Sequence, residues 1–140
     1  MINRIAFIFF AFILFSCGST KPPLVSKPLY DILYQSDYGG APFQFYEIIT
    51  EKKEFEILLN DQIIKPYVKK EDIETCNFIL VNLGEKEKMG FTIVVDDITE
   101  LQNKIIISIK EVQPKGNSVG ISKPSSVIKV KSKKTIEIKE

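Results

Sequence analysis

The chain has 140 residues, 44% apolar and 26% charged, with 19 basic against 18 acidic side chains and no histidine. A useful core takes on the order of 100 residues, so there is room for one domain, and the composition is that of a globular protein rather than a disordered one. Near-neutral charge argues against a nucleic-acid partner, which calls for a clustered basic surface, and without histidine no Ser-His-Asp, Cys-His or His-containing zinc site can be drawn.

The N-terminus is set apart from that domain. Arg4 is followed by an unbroken apolar run from Ile5 to Phe15 and then by Ser16-Cys17. This is the pattern of a secretory signal peptide. Eleven helical residues span about 17 Å, well short of a hydrocarbon core of roughly 30 Å, so a permanent membrane-spanning helix fits less well. Leu14-Phe15-Ser16-Cys17 resembles a bacterial lipobox, in which the cysteine receives diacylglycerol and becomes the new N-terminus. The likeness implies removal of residues 1–16 and a lipid on Cys17. Arg4, the only arginine, leaves with the signal, and the remaining 124 residues carry 18 lysines and 18 acids. Gly18 is no aspartate-type retention signal and no acidic run follows, so a periplasm-facing lipoprotein is expected.

Residues 17–28 then read as the lipidated cysteine and a short stiff spacer, because Gly18 to Pro28 (GSTKPPLVSKP) holds three prolines and no hydrophobic period. Domain material runs from Leu29 to Glu140. Tyr30 to Gln35 is a strand pattern, stopped by the turn-rich Ser36-Asp37-Tyr38-Gly39-Gly40. Phe43 to Ile49 is a second strand, with Phe43, Phe45 and Glu47 on one face. Thr50 is placed to cap a helix over Glu51 to Asn60, in which Phe55, Leu58 and Leu59 are spaced to pack on a sheet. Pro66 ends any extension.

Five further strands follow: Phe78 to Leu83, Phe91 to Asp96, Lys104 to Val112, Ser126 to Lys131 and Thr135 to Lys139. Their β-branched density and alternation, as in Ile105, Ile107 and Ile109, predict antiparallel strands joined by hairpins. The expected fold is therefore mainly β (α+β): a small antiparallel β-sandwich or open barrel with one packed helix. Cys76, left alone if Cys17 is acylated, has no partner for an internal disulfide and reads as a small half-buried thiol at a strand start.

Three chemical motifs carry little. Ser126-Val127-Ile128-Lys129 matches S-x-x-K, but that motif works on a helix and here the period is two. Asp96 and Asp97 are strand neighbours that point apart, so they form neither an acid/base pair nor a calcium cage. Lys123 to Glu140 has six lysines against two glutamates, and their alternation with Val and Ile reads as the wet face of strands.

The remaining signal is a loop. Gly84-Glu85-Lys86-Glu87-Lys88-Met89-Gly90-Phe91 lies between two apolar strands, with Gly90 at a position suited to a backbone angle other residues resist. Read plainly, it is a hairpin connector whose charges prevent edge aggregation. Phe78 to Gly84 followed by Glu85 to Ile93 also resembles the C-terminal domain of the protease complex subunit PrcB family. In that family a strand-ending glycine leads through a Pro-Thr-Gly-Gly-Tyr-like loop into the next strand. Gly84 matches the strand-ending glycine, Gly90 the second loop glycine and Phe91 the aromatic, while Glu87, Lys88 and Met89 replace Pro, Thr and the first Gly. Val112-Gln113-Pro114 and Ser122-Lys123-Pro124 are similar to the family's later proline-led segments.

The resemblance implies an envelope lipoprotein that assembles with, or helps mature, an extracellular protease. The glycine-aromatic loop is also similar to those of the Ig-like chagasin inhibitors of cysteine proteases, a likeness of fold and loop only. The expectation is a noncatalytic, membrane-anchored module. Gly84 to Phe91, with Ser122, Lys123 and Pro124, would contact a protein partner, and no cofactor, metal or small-molecule substrate is called for. The alternatives are a chagasin-like protease inhibitor and a structural envelope lipoprotein without a protease partner. Phe91 is either an exposed anchor or, sharing a strand face with Ile93 and Val95, part of the core.

Overall fold

The computed structural model describes residues 27–116 and 118–139. Cys17, the signal peptide and all of the spacer before Lys27 lie outside the described residues. The described chain is mostly strand: β1 (Tyr30–Ser36), β2 (Gln44–Ile49), α1 (Lys52–Asn60), α2 (Asp72–Thr75), β3 (Asn77–Leu83), β4 (Lys86–Lys88), β5 (Thr92–Glu100), β6 (Lys104–Val112), β7 (Val119–Ser122), β8 (Ser125–Val130) and β9 (Thr135–Lys139). A single 3₁₀ turn at Lys65–Tyr67 carries Pro66 in its first positions.

Three layers result. A four-stranded sheet in the order β1-β8-β3-β2 lies between the helical segment and a three-stranded sheet in the order β5-β6-β9. Ile79, Val81, Leu83, Ile128 and Val130 face the second sheet and meet Ile93, Ile105, Ile107 and Ile109 there. The opposite face offers Ile49, Phe78 and Val127 to Phe55 and Leu58 of α1 and to Ile64, Val68, Ile73 and Cys76. The Phe55 and Phe78 rings stack 4.6 Å apart, a contact worth about 1 kcal/mol beyond the area it buries. A strand covered on both faces needs apolar residues at every step, which is why β3 reads as a continuous run while the singly covered β6 alternates. The architecture is a small β-sandwich with one helix of useful length, and the sheets do not close into a barrel.

Three expectations are corrected. Thr50 does not cap α1: the N-cap is Glu51, which makes no side-chain cap bond, while the Thr50 amide donates to the Glu54 carboxylate at 3.4 Å. The helix begins one residue later than the spacing predicts, so the hydroxyl lies beyond reach of its first amides. Two consecutive pairs of strands do meet, β2–β3 across the helical segment and β5–β6, and of these only β5–β6 is a hairpin. β8 inserts between β1 and β3, both antiparallel to it. The last strand runs parallel to β6, because residues 131–134 cross from one sheet to the other and β9 enters at the end where β6 also starts.

Candidate functional site

One end of the sandwich collects the chain's irregular connections. β1 ends there at Ser36 and β2 starts at Gln44, β3 ends at Leu83 and β8 starts at Ser125, β5 starts at Thr92 and β6 ends at Val112. The segments 37–43, 84–91, 113–116 and 118–124 therefore share one pole. The chain enters the domain at the opposite pole, where Tyr30 pairs with Val130.

The predicted loop is not a hairpin. β3 and β5 belong to different sheets, and Lys86–Lys88 forms a short antiparallel ribbon with Val119–Ser122. Lys86 lies opposite Ser122, so the structure joins Gly84 to Phe91 with Ser122, Lys123 and Pro124, two segments the sequence reading had set side by side. Ser122 is fully buried and its hydroxyl donates to the Lys88 carbonyl. Leu83 N donates to the Pro124 carbonyl at 3.0 Å, and Glu85 N to that of Pro42 at 3.1 Å. Gly90 has φ 91°, where a side chain would be strained, and its amide donates to the Asp37 carboxylate at 2.9 Å.

Two residues that the sequence reading did not single out hold this end together. Asn82, 3% exposed, accepts from Ala41 N at 2.9 Å and donates to the carbonyls of Ala41, at 3.1 Å, and Phe43. A polar residue inside an otherwise apolar strand was the available signal, because a buried amide must find partners. Asp37 adds its carbonyl, which accepts from Lys123 N at 2.7 Å. Gly40 passes so close that a Cβ there would lie 2.1 Å from Asn82 Oδ1 and 2.6 Å from the Lys123 carbonyl.

The loop charges divide. Lys86 pairs with Glu111 at 2.7 Å and sits 5.4 Å from the Phe91 ring centre. Glu85 faces Lys123 at 3.6 Å. Glu87 and Lys88 are exposed and make no ion pair among the described residues. Met89 is half-buried, its sulfur accepting from the Tyr38 hydroxyl at 3.4 Å. Phe91 is 9% exposed and belongs to the core with Ile93 and Val95, so its position decides against an exposed anchor. The most exposed apolar residues at this pole are instead Val119 (89%), Ile121 (66%) and Phe43 (65%). β7 was not expected at all: four residues with a central glycine give too short a period to read.

The other motifs stay apart. Ser126 donates to the Tyr34 carbonyl, whereas Lys129 leaves the other face of β8 to pair with Asp72 at 2.8 Å. Asp96 stands at a bulge of β5 and pairs with Lys110, while Asp97 accepts from Thr99. Lys131 and Lys134 are neutralised by Asp31 and Glu100. Burial works to raise the Asp72 pKa, but hydrogen bonds from Lys129 and the Lys69 amide, with the charges of both lysines, hold it below the ordinary carboxylate value. Glu137 is likewise held low, by its hydrogen bond to Lys104 first. Among the described residues no group of three or more Cys, Asp and Glu side chains is placed to hold a metal ion.

No family model, no curated protein and no solved structure matches this chain.

Proposed function

We propose that this chain is a noncatalytic, lipid-anchored envelope protein that binds a protein partner through its loop pole, as an accessory subunit of an extracellular or envelope protease complex. One observation carries the reading: Val119 and Ile121 stand exposed on the ribbon that holds out the free charges of Glu87 and Lys88, with Phe43 exposed at the same pole, on a surface braced from below by Asn82, Asp37 and Ser122. Apolar residues rimmed by charge on a rigid support are what a docking surface needs. The polarity of the fold supports it too. A lipid on Cys17 would tether the pole at Tyr30, and the seven residues of β1, at about 3.3 Å each, set the loop pole some 20 Å farther from the bilayer. The PrcB resemblance supplies the protease as the partner class.

The test is a crosslinked affinity pull-down of the full lipoprotein from its native envelope. It is run beside a variant carrying Glu87→Ala, Lys88→Ala, Val119→Ser and Ile121→Ser, which spares the braces and the core. Recovery of a protease by the native protein and its loss with the variant is the expected result. Identical recoveries, or none, would return the ribbon to a purely structural role.

A further inference from the structure

The helical layer does not cover all of its sheet. α1 and the residues after it pack over Phe78 and Val127, but toward the loop pole the same face lies open in a groove of about 330 Å³. Leu80 lies at its base, the Tyr34, Tyr38 and Phe45 side chains line it, and Ile63, 56% exposed, stands with Asp61 on the side of the α1–β3 connection. No lysine lines this groove. Asp61 is fixed but not neutralised: Oδ1 accepts the amides of Ile63 at 2.8 Å and Ile64 at 2.9 Å, and no ion pair reaches the carboxylate among the described residues.

We propose that this groove receives an arginine or lysine side chain, with an apolar neighbour, from the protein partner. The inference rests on the docking role of this pole and names the chemistry it selects. Aromatic faces carry negative potential and attract a cation, Arg more often than Lys. The free Asp61 oxygen completes a charge-assisted bond to the head group, while Leu80 and Ile63 take the methylene stem and the flanking apolar residue. Ligand pockets start at about 300 Å³, so the space exceeds one side chain and suits a short segment.

The experiment is an NMR titration of the full chain, purified in nonionic detergent, with acetyl-Leu-Arg-Leu-amide and with the same peptide bearing citrulline, the neutral isostere of arginine. The arginine peptide should bind at least about tenfold tighter and shift the amides of Tyr38, Asn82 and Ile63. Asp61→Asn should abolish the preference, because its side-chain oxygen still accepts both turn amides but carries no charge. Tyr38→Leu should weaken the arginine peptide selectively. Equal affinities, shifts outside the groove, or no shift at about 10 mM peptide would overturn the proposal. Choline binding as tightly as the peptide would overturn it too, because the site would then serve a free cation. The pull-down variant leaves the groove intact. A protease lost with that variant but no arginine preference would therefore remove the groove proposal alone.

Discussion

Asn82 is the side chain on which the loop pole depends, and its replacement tests that claim with a sign as well as a size. Asn82→Ala removes three hydrogen bonds to the 41–43 backbone, each worth about 1 kcal/mol net. The expected loss is therefore about 3 kcal/mol, or roughly 10–15 °C in Tm at this chain length. Asn82→Asp keeps the shape and the acceptor for Ala41 N, but sets a carboxylate against the carbonyls of Ala41 and Phe43. Burial and those carbonyls favour the protonated acid, so its folded pKa should rise above the unfolded value of about 3.9. The native state then holds more protons than the unfolded one, and stability falls as pH rises between the two pKa values. The variant should be less stable than Asn82→Ala at pH 7 and recover on acidification toward about pH 4.5. Urea unfolding followed by circular dichroism at several pH values reads both effects. An Asn82→Asp protein as stable as the parent at pH 7, or with no recovery in acid, would refute the brace.

Three further outcomes follow from the same geometry. Phe91→Ala should cost about 3–5 kcal/mol and lower the unfolding midpoint; a folded protein of parental stability that has lost only its partner would contradict the core placement. Gly40→Ala, whose methyl would meet Asn82 and the Lys123 carbonyl, should destabilise by about 1–3 kcal/mol and broaden amide resonances of residues 37–43 in NMR spectra, whereas Gly39→Ala meets no neighbouring atom and is strained only by its backbone angle. Asp72 has a lowered folded pKa, so its contribution is present above the unfolded value of about 3.9 and lost as pH falls through the folded one. Asp72→Asn should therefore flatten the acid limb of the stability curve below about pH 4, and an unchanged limb would show that the Lys129 pair contributes nothing measurable.

Most of the fold was legible because its cause is local. The period-two alternation of Ile105, Ile107 and Ile109 states which face of β6 is buried, and Phe55 with Leu58 states it for α1. Those patterns depend only on how side chains project from a strand or helix, so seven of the nine strands and α1 were found within a few residues of their observed bounds, while the short β4, β7 and α2 were not. Period does not name neighbours. That β8 would part β1 from β3, or that β9 would run parallel to β6, was settled by how a second sheet and a helix pack on the two faces of the central sheet. The candidate site divides the same way. The sequence marked Gly84 to Phe91 and Ser122 to Pro124 by charge, glycine and proline. Only the folded chain joined them through the β4–β7 ribbon, turned Phe91 inward, and left Val119 and Ile121 outside, because pairing and burial between residues 30 or more apart are decided by what the whole core can cover.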